Sequence, residues 1–424
     1  MIKMKSIGII GMGDMGKLYA LIFSGLGFDV NGCDLPGKRS QLEKELAGTK
    51  IHILDDGTAV SRISDIIFYS VEAENIGKAV KLYGPSTKKG AIVAGQTSVK
   101  TPEIEAFQEY LPHNVDIITC HSLHGPSVDP KGQTLAVINH RSTPKTYNIF
   151  LETVKKLGSN IVELKDYMEH DKITADTQVT TQVGFESMGT AWKRCESYPW
   201  EDASYVGGID NVKVLMCLRI YAGKPHVYAG LALYNPYAKE QVKQYARSVT
   251  DLFGLMIKED EKVFRQRIEK AKEFVFSNDN SPILLDDDIM REFSLGILPE
   301  QKMPNSHLSL LAMVDAWHNL GITPYNNMIC QTPLFRLRLG IAEYLFRNTE
   351  LLEESAHAAL FDKKIRGDDL QFAIAVNEWA TLIEKGDAEG YKRHFEETKG
   401  FFKDKLPEGM KRSNELIKRL SGNR

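Results

Sequence analysis

Cysteine is scarce and unpatterned in this chain of 424 residues. There are five, Cys33, Cys120, Cys195, Cys217 and Cys330, an odd number with no Cys-x-x-Cys pair. That argues against a disulfide scaffold or a zinc knuckle and favours a reducing compartment. An excess of one charge is also lacking: 53 Lys and Arg stand against 56 Asp and Glu, a formal net charge of −3. Without a global basic field, neither nucleic acid nor an anionic membrane surface is an expected partner. No run approaches the ~18 apolar residues of a membrane-spanning helix. Met1–Lys5 and the apolar run behind it have the outline of a secretory leader. Asp14 interrupts that run and no small-residue cleavage site follows, so no leader is expected and the location is read as cytoplasmic. With 33 Gly and 16 Pro scattered along the chain, neither collagen nor extended disorder fits. Hydrophobic residues at 42% and charged residues at 26% describe an ordinary globular protein, with room for two or three domains.

What is present falls into two patterns. From Ser6 to about Leu164, short β-type runs alternate with helical stretches. The runs are Ser6–Ile10, Asp29–Cys33, Ile51–Leu54, Asp65–Ser70, Ala91–Ala94, Asp116–His121, Leu135–Asn139 and Ile161–Leu164. Most are apolar without clean alternation, as expected of parallel strands covered on both faces. Gly16–Ser24 and Thr101–Tyr110 have helical length, and the repeated strand–helix–strand order reads as a doubly wound α/β domain. Beyond Tyr167, apolar residues recur at helical spacing through Lys172–Lys193, Glu240–Ile257, Glu261–Phe276, Leu308–Leu320 and Asp369–Ile383. The expectation is a Rossmann-type domain over residues 1–166 and a mainly α-helical domain over 167–424. Pro299–Asn305 and the basic tail after Met410 read as a loop and a frayed end.

Gly11-Met12-Gly13-Asp14-Met15-Gly16 directly follows the first strand. Its chemistry depends on missing side chains. Gly11 permits a tight turn, Gly13 lets a pyrophosphate approach the backbone, and Gly16 lets the next helix pack closely on the strand. The helix N-terminus then offers N–H groups and a positive dipole end to phosphate. Asp34 closes the second strand at about the distance expected of a ribose-binding acid, which favours NAD. Lys38 and Arg39 follow where a 2′-phosphate would lie, which favours NADP, and these residues leave the two cofactors open.

Ligands of an open α/β sheet lie beyond the carboxyl ends of its strands. Ser70-Val71-Glu72 follows the fourth strand, Gly95-Gln96-Thr97-Ser98-Val99-Lys100 the fifth, and His121-Ser122-Leu123-His124-Gly125-Pro126 the sixth. The last two place hydroxyl and imidazole groups where a nicotinamide ring would sit. An imidazole titrates near neutral pH and can take a proton from an alcohol being oxidised.

On these segments the chain closely resembles the fungal type of prephenate dehydrogenase. The resemblance extends through Glu169–Gln178, Leu218-Arg219-Ile220-Tyr221, Pro304–Leu311 and Thr332-Pro333-Leu334-Phe335-Arg336, covering residues 5 to about 350. It implies an NADP-dependent enzyme of tyrosine biosynthesis, a homodimer built through the helical domain, with prephenate as substrate and no metal. By the same resemblance, His121 bonds the C4 hydroxyl of prephenate, Ser98 orients that hydroxyl, and Arg219 holds a substrate carboxylate. His124 and Gln178 complete the candidate substrate-binding set. Gly11, Met12, Gly13, Asp14, Met15, Gly16, Asp34, Lys38, Arg39, Ser70 and Val71 form the candidate cofactor set. The His170-Asp171 pair matches one that opens the helical domain's first long helix and is expected to be more structural than catalytic. Ser122 departs from the proline that bacterial relatives often carry after the histidine. Arogenate is the nearest alternative substrate. A 3-hydroxy acid is disfavoured because Ala175–Gly189 lacks the lysine such enzymes normally carry there. A nicotinamide-sensing protein without turnover is disfavoured by the joint presence of His121, Ser98 and Arg219.

Overall fold

The computed structural model describes residues 6–126, 128–201, 208–276, 304–330 and 332–422. The part of the expected Pro299–Asn305 loop from Pro299 to Met303 lies outside them. The described chain divides into two compact units, Met1–Thr174 with Tyr234–Pro236, and Ala175–Leu233 with Tyr237–Arg424.

Eight strands form the first unit's single sheet: β1 (Ser6–Ile10), β2 (Asp29–Cys33), β3 (Ile51–Ile53), β4 (Ile66–Tyr69), β5 (Ile92–Gly95), β6 (Asp116–Ser122), β7 (Thr134–Arg141) and β8 (Asn160–Leu164). Their order is β3-β2-β1-β4-β5-β6-β7-β8. The reversal of winding between β1 and β4 defines the crevice where a dinucleotide binds in such sheets. Side chains alternate between two cores. Ile66 and Phe68 of β4 join Ile9, Phe23, Ile92 and Phe150 on one face, while Ile67 and Tyr69 join Val93, Ile104 and Phe107 on the other. Burial on both faces is why these strands read as unbroken apolar runs.

The sheet is not parallel throughout. β1 to β6 are parallel, but β7 pairs antiparallel with β6, and β8 runs parallel to β7. Among the described residues no helix lies between Ser122 and Thr134, so the chain turns back without the crossover that parallel pairing needs. Between β7 and β8 the helix Pro144–Val154 restores a crossover.

Helices make up the second unit. The stretch expected as one helix from Lys172 to Lys193 is divided: Tyr167–Thr174 is α-helical, Ala175–Val179 is a π-helical turn, and Thr180–Arg194 is α-helical again. The boundary between the two units falls at the start of the π turn. Ile209–Ala222 is buried almost all round. The basic tail is not frayed. Residues Leu406–Gly422 form a helix, and an added Cβ at Gly409 would run into Leu218. Gly409, Ser413 and Leu416 face inward at helical spacing. Small side chains at the first two hide the apolar stripe that a sequence reading looks for.

Candidate active site

The glycine cradle is set by backbone geometry. Gly11 has φ +97°, and an added Cβ would strike the Ser70 carbonyl. A Cβ at Gly16 would strike the Gly11 carbonyl, whereas Gly13, which caps helix Asp14–Gly25, has no atom within 4 Å of where its Cβ would be. Two glycines are therefore required by close packing and the third by open space, the pattern of a turn shaped for a phosphate at a helix N-terminus. Met12 lies buried against Gly32, Met15 packs on the core, and Asp14 is exposed in the first helical turn. Ser70 donates its N–H to the Ile10 carbonyl at 2.8 Å, and Val71 packs beside the second core. The Gln96 side chain, at the end of β5, has a buried amide nitrogen and oxygen without hydrogen-bond partners. Orphaned donor and acceptor atoms there suit a carboxamide such as that of nicotinamide. The cradle and strand ends thus fit a dinucleotide.

Asp34 accepts the N–H groups of Met12 at 2.9 Å and Leu35 at 2.7 Å. Lys38 lies 3.3 Å from its carboxylate, an i,i+4 pair. The acid's charge is thus partly offset, which reduces its repulsion of a 2′-phosphate. Arg39 is turned toward Glu43, at 2.9 Å, and Asp55.

At the end of β6 the sequence expectation is extended by contacts it did not anticipate. His121 Nδ1 lies 2.9 Å from His170 Nε2, and His170 Nδ1 lies 2.8 Å from Asp171 Oδ1. Asp171 also accepts the N–H of Lys100 at 2.7 Å, the N–H of Thr101 at 2.7 Å and the Thr101 hydroxyl at 2.7 Å. Burial alone would raise the Asp171 carboxyl, but the hydrogen bonds and charge of His170, with those backbone and hydroxyl donors, hold it below its ordinary value. A carboxylate accepting four hydrogen bonds has no position for its own proton. His170 therefore donates from Nδ1, and in its neutral form its Nε2 accepts from His121 Nδ1–H. His121 Nε2 then carries the lone pair. Burial pushes the His121 imidazole well below the usual histidine range, and the nearby His170, Lys100 and His124 act the same way.

His124 is half-buried with Nδ1 3.0 Å from the Gly125 carbonyl, and Ser98 is half-buried in the β5 loop. Ser122, the departure from the bacterial proline, shares a 2.6 Å hydrogen bond with the hydroxyl of Tyr19. That contact ties the end of β6 to the helix behind the cradle. Lys100 and Glu103, which the sequence reading assigned no role, form a fully buried ion pair at 3.1 Å beside these loops. The only sequence signal for them was a cation and an acid three residues apart next to an apolar stretch.

Arg219 and Gln178 belong to the second unit. Arg219 donates from one guanidinium nitrogen to Asn414 Oδ1 at 2.5 Å and Ser413 Oγ at 3.3 Å on the C-terminal helix. Both partners are neutral, so its charge is not spent on a carboxylate through these bonds. Gln178 lies in the π-helical turn, buried, with its amide nitrogen unpartnered.

A β-sheet with this strand order, a glycine cradle after β1 and a buried imidazole at the end of β6 fit a nicotinamide-dependent dehydrogenase with an added helical unit. A family model described as "NADP oxidoreductase coenzyme F420-dependent" matches residues 6–95. A second, for a type of "6-phosphogluconate dehydrogenase C-terminal domain", matches residues 179–422. The chain is 49% identical to "Prephenate dehydrogenase [NADP(+)]" of Saccharomyces cerevisiae, over 98% of this chain and 94% of that protein. It is 46% identical to "Probable prephenate dehydrogenase [NADP(+)]" of Schizosaccharomyces pombe, over 98% of each. The crystal structure of prephenate dehydrogenase from A. aeolicus, in complex with hydroxyphenyl propionate and NAD+, superposes with a TM-score of 0.52 at 15% identity, covering 64% of this chain and 97% of that one. This chain belongs to the NADP-dependent prephenate dehydrogenases.

Proposed function

We infer that the chain catalyses oxidative decarboxylation of prephenate to 4-hydroxyphenylpyruvate with NADP as hydride acceptor, a step of tyrosine biosynthesis. Identity of 46–49% over nearly the whole chain with named prephenate dehydrogenases supports the reading, and the hydrogen-bonded row His121–His170–Asp171 is the observation that carries its chemistry.

Gly11 to Gly16, Ser70 and Val71, with Asp34, Lys38 and Arg39, would hold NADP, which would supply the acceptor for the hydride leaving C4 of the substrate. His121 Nε2 takes the hydroxyl proton as the C4 carbonyl develops. Loss of the ring carboxylate as carbon dioxide sends its electron pair through the ring to that oxygen, and the proton returns to give the phenol. Aromatisation supplies much of the driving force, so the protein's work is orientation and proton transfer. Ser98 orients the hydroxyl, and His124 is a further substrate contact. His170 and Asp171 are positioning residues that keep the imidazole in its basic tautomer. Residues 1–166 act as the cofactor domain, and the helical remainder carries the substrate contacts Arg219 and Gln178.

A guanidinium suits planar, bidentate recognition of a carboxylate. Arg219→Ala is accordingly expected to raise KM for prephenate by about tenfold or more, the loss of one charge-assisted bond, with kcat changed far less. An unchanged KM in steady-state assays would make Arg219 a structural cation that serves only the C-terminal helix.

The substrate and cofactor are tested together by four initial rates: prephenate or arogenate, each with NADP or NAD, followed by reduced-nicotinamide absorbance. The expected order places prephenate with NADP first. A higher rate with arogenate would overturn the substrate, and a higher rate with NAD the cofactor. The reading also carries a cytoplasmic homodimer. The buried free thiols Cys33, Cys120 and Cys217 are consistent with a reducing compartment.

A further inference from the structure

Lys100 is a lysine with no solvent exposure, at the point where the β5 loop enters the helix Thr101–Tyr110. Its ammonium reaches the carbonyls of Gly95 at 3.2 Å and Cys120 at 2.6 Å, the hydroxyl of Thr119 at 3.0 Å, and both oxygens of Glu103 at 3.1 and 3.3 Å. Glu103 in turn accepts the Thr97 N–H at 3.1 Å, the Thr97 hydroxyl at 2.6 Å and the Thr119 hydroxyl. An added Cβ at Gly95 would run into the Glu103 carboxylate, so the strand end is shaped around this pair. Hydrophobic side chains of similar volume would fill such a space at less desolvation cost, so a buried pair of this kind calls for a reason other than stability.

That reason lies in what the pair touches. Cys120 precedes His121 in β6, and the backbone N–H of Lys100 is one of the four donors to Asp171. One residue therefore grips both ends of the chain His121–His170–Asp171, from the strand side through its ammonium and from the acid side through its amide. We propose that Lys100, neutralised by Glu103, is a positioning residue that fixes His121 and Asp171 at the separation their shared histidine requires. The charges facing His121 are His170 with Asp171 behind it, His124 on its own strand end, and Lys100 with Glu103. Among them Lys100 helps to keep the imidazole unprotonated.

The proposal rests on the reading of His121 as the base, and its test separates the two. The double substitution Lys100→Met with Glu103→Gln removes both charges, so no uncompensated ion is left buried. It is expected to lower kcat roughly 10²-fold, the scale of an ångström-sized misplacement. KM for prephenate and Kd for NADPH, read by quenching of protein fluorescence, stay within about twofold on the same reasoning. The acidic limb of the kcat/KM profile moves to higher pH because, of the removed pair, it is Lys100 whose charge lowers the His121 imidazole. A purely structural pair would lower the melting temperature and leave kcat and the limb of the folded protein unmoved, and that result overturns the proposal. Should the double variant not accumulate folded, Thr119→Val takes over the test. It keeps both charges and removes the hydroxyl they share, with an expected kcat loss on the order of tenfold and an unmoved limb; unchanged kcat would again overturn the proposal. If His121→Asn itself kept full turnover, the base assignment would have failed instead.

Discussion

His121→Asn is expected to lower turnover by ~10²–10⁴-fold, the usual range for removing a positioned general base, while NADP binding stays as it is. Asparagine keeps a hydrogen-bonding group of similar reach but cannot take up a proton near neutral pH. The proposed cofactor residues lie on the cradle and the β2 and β4 ends, away from His121 on β6. The result is read by steady-state kinetics beside a fluorescence titration with NADPH. Turnover within a few-fold of the wild type would sink the assignment. The pH dependence of the unaltered protein carries the same prediction. Burial, with His170, Lys100 and His124 nearby, lowers the His121 pKa, so the base is already free of its proton at mildly acidic pH. Activity should therefore persist below the ordinary histidine range of about 6.5 and fall only at more acidic pH. A limb at or above that value would contradict the packing around the imidazole.

Asp171→Asn should be nearly as damaging, with kcat falling by ~10²–10⁴-fold and the fold retained. The side chain keeps its size, but one carboxylate oxygen becomes an NH₂ group that can only donate. Either it takes the Oδ2 position and faces the Thr101 N–H and hydroxyl, setting donor against donor, or it takes the Oδ1 position and faces both the Lys100 N–H and His170. In the second case His170 Nδ1 must accept, its proton moves to Nε2, and that N–H points at His121 Nδ1. His121 then carries its proton on Nε2, where the lone pair is needed. The loss should appear in kcat, with NADPH affinity and the near-ultraviolet dichroism unchanged. Wild-type kcat in a folded Asp171→Asn protein would show that the tautomer of His121 is set by something else. Aspartate at this position acts through another residue, so its effect is orientational.

Much of the cofactor half was legible because its requirements are local or repeat along the chain. Strands covered on both faces have no polar alternation, and all eight were expected, most of them as apolar runs. Gly11 and Gly16 are demanded by close backbone contacts, and Gly13 leaves open space between them, all within six residues. His121 could be singled out by the rule that ligands gather beyond strand ends. The reversal of β7 was not legible, since antiparallel return and parallel crossover differ in the connection and hardly in the strand. The C-terminal helix was hidden by Gly409 and Ser413, small residues that pack closely against a neighbour and give no hydrophobic period. The His170–Asp171 pair was visible as a motif, but its hold on His121 spans 49 residues.

The sequence by itself determined the α/β cofactor unit, the glycine cradle and the helical character of the remainder, and it singled out His121 as the proposed base. Each of these follows from propensity, periodicity or a missing side chain within a short window. Tertiary structure alone decided the protonation state of that base. It is a property of burial and of partners brought together by the sheet: Lys100 beside Cys120, Asp171 saturated by four donors, and His170 between them. No local pattern encodes which nitrogen of a histidine carries the proton. That depends on the last acceptor in a chain of hydrogen bonds, and here the acceptor reaches His121 only after the sheet has formed.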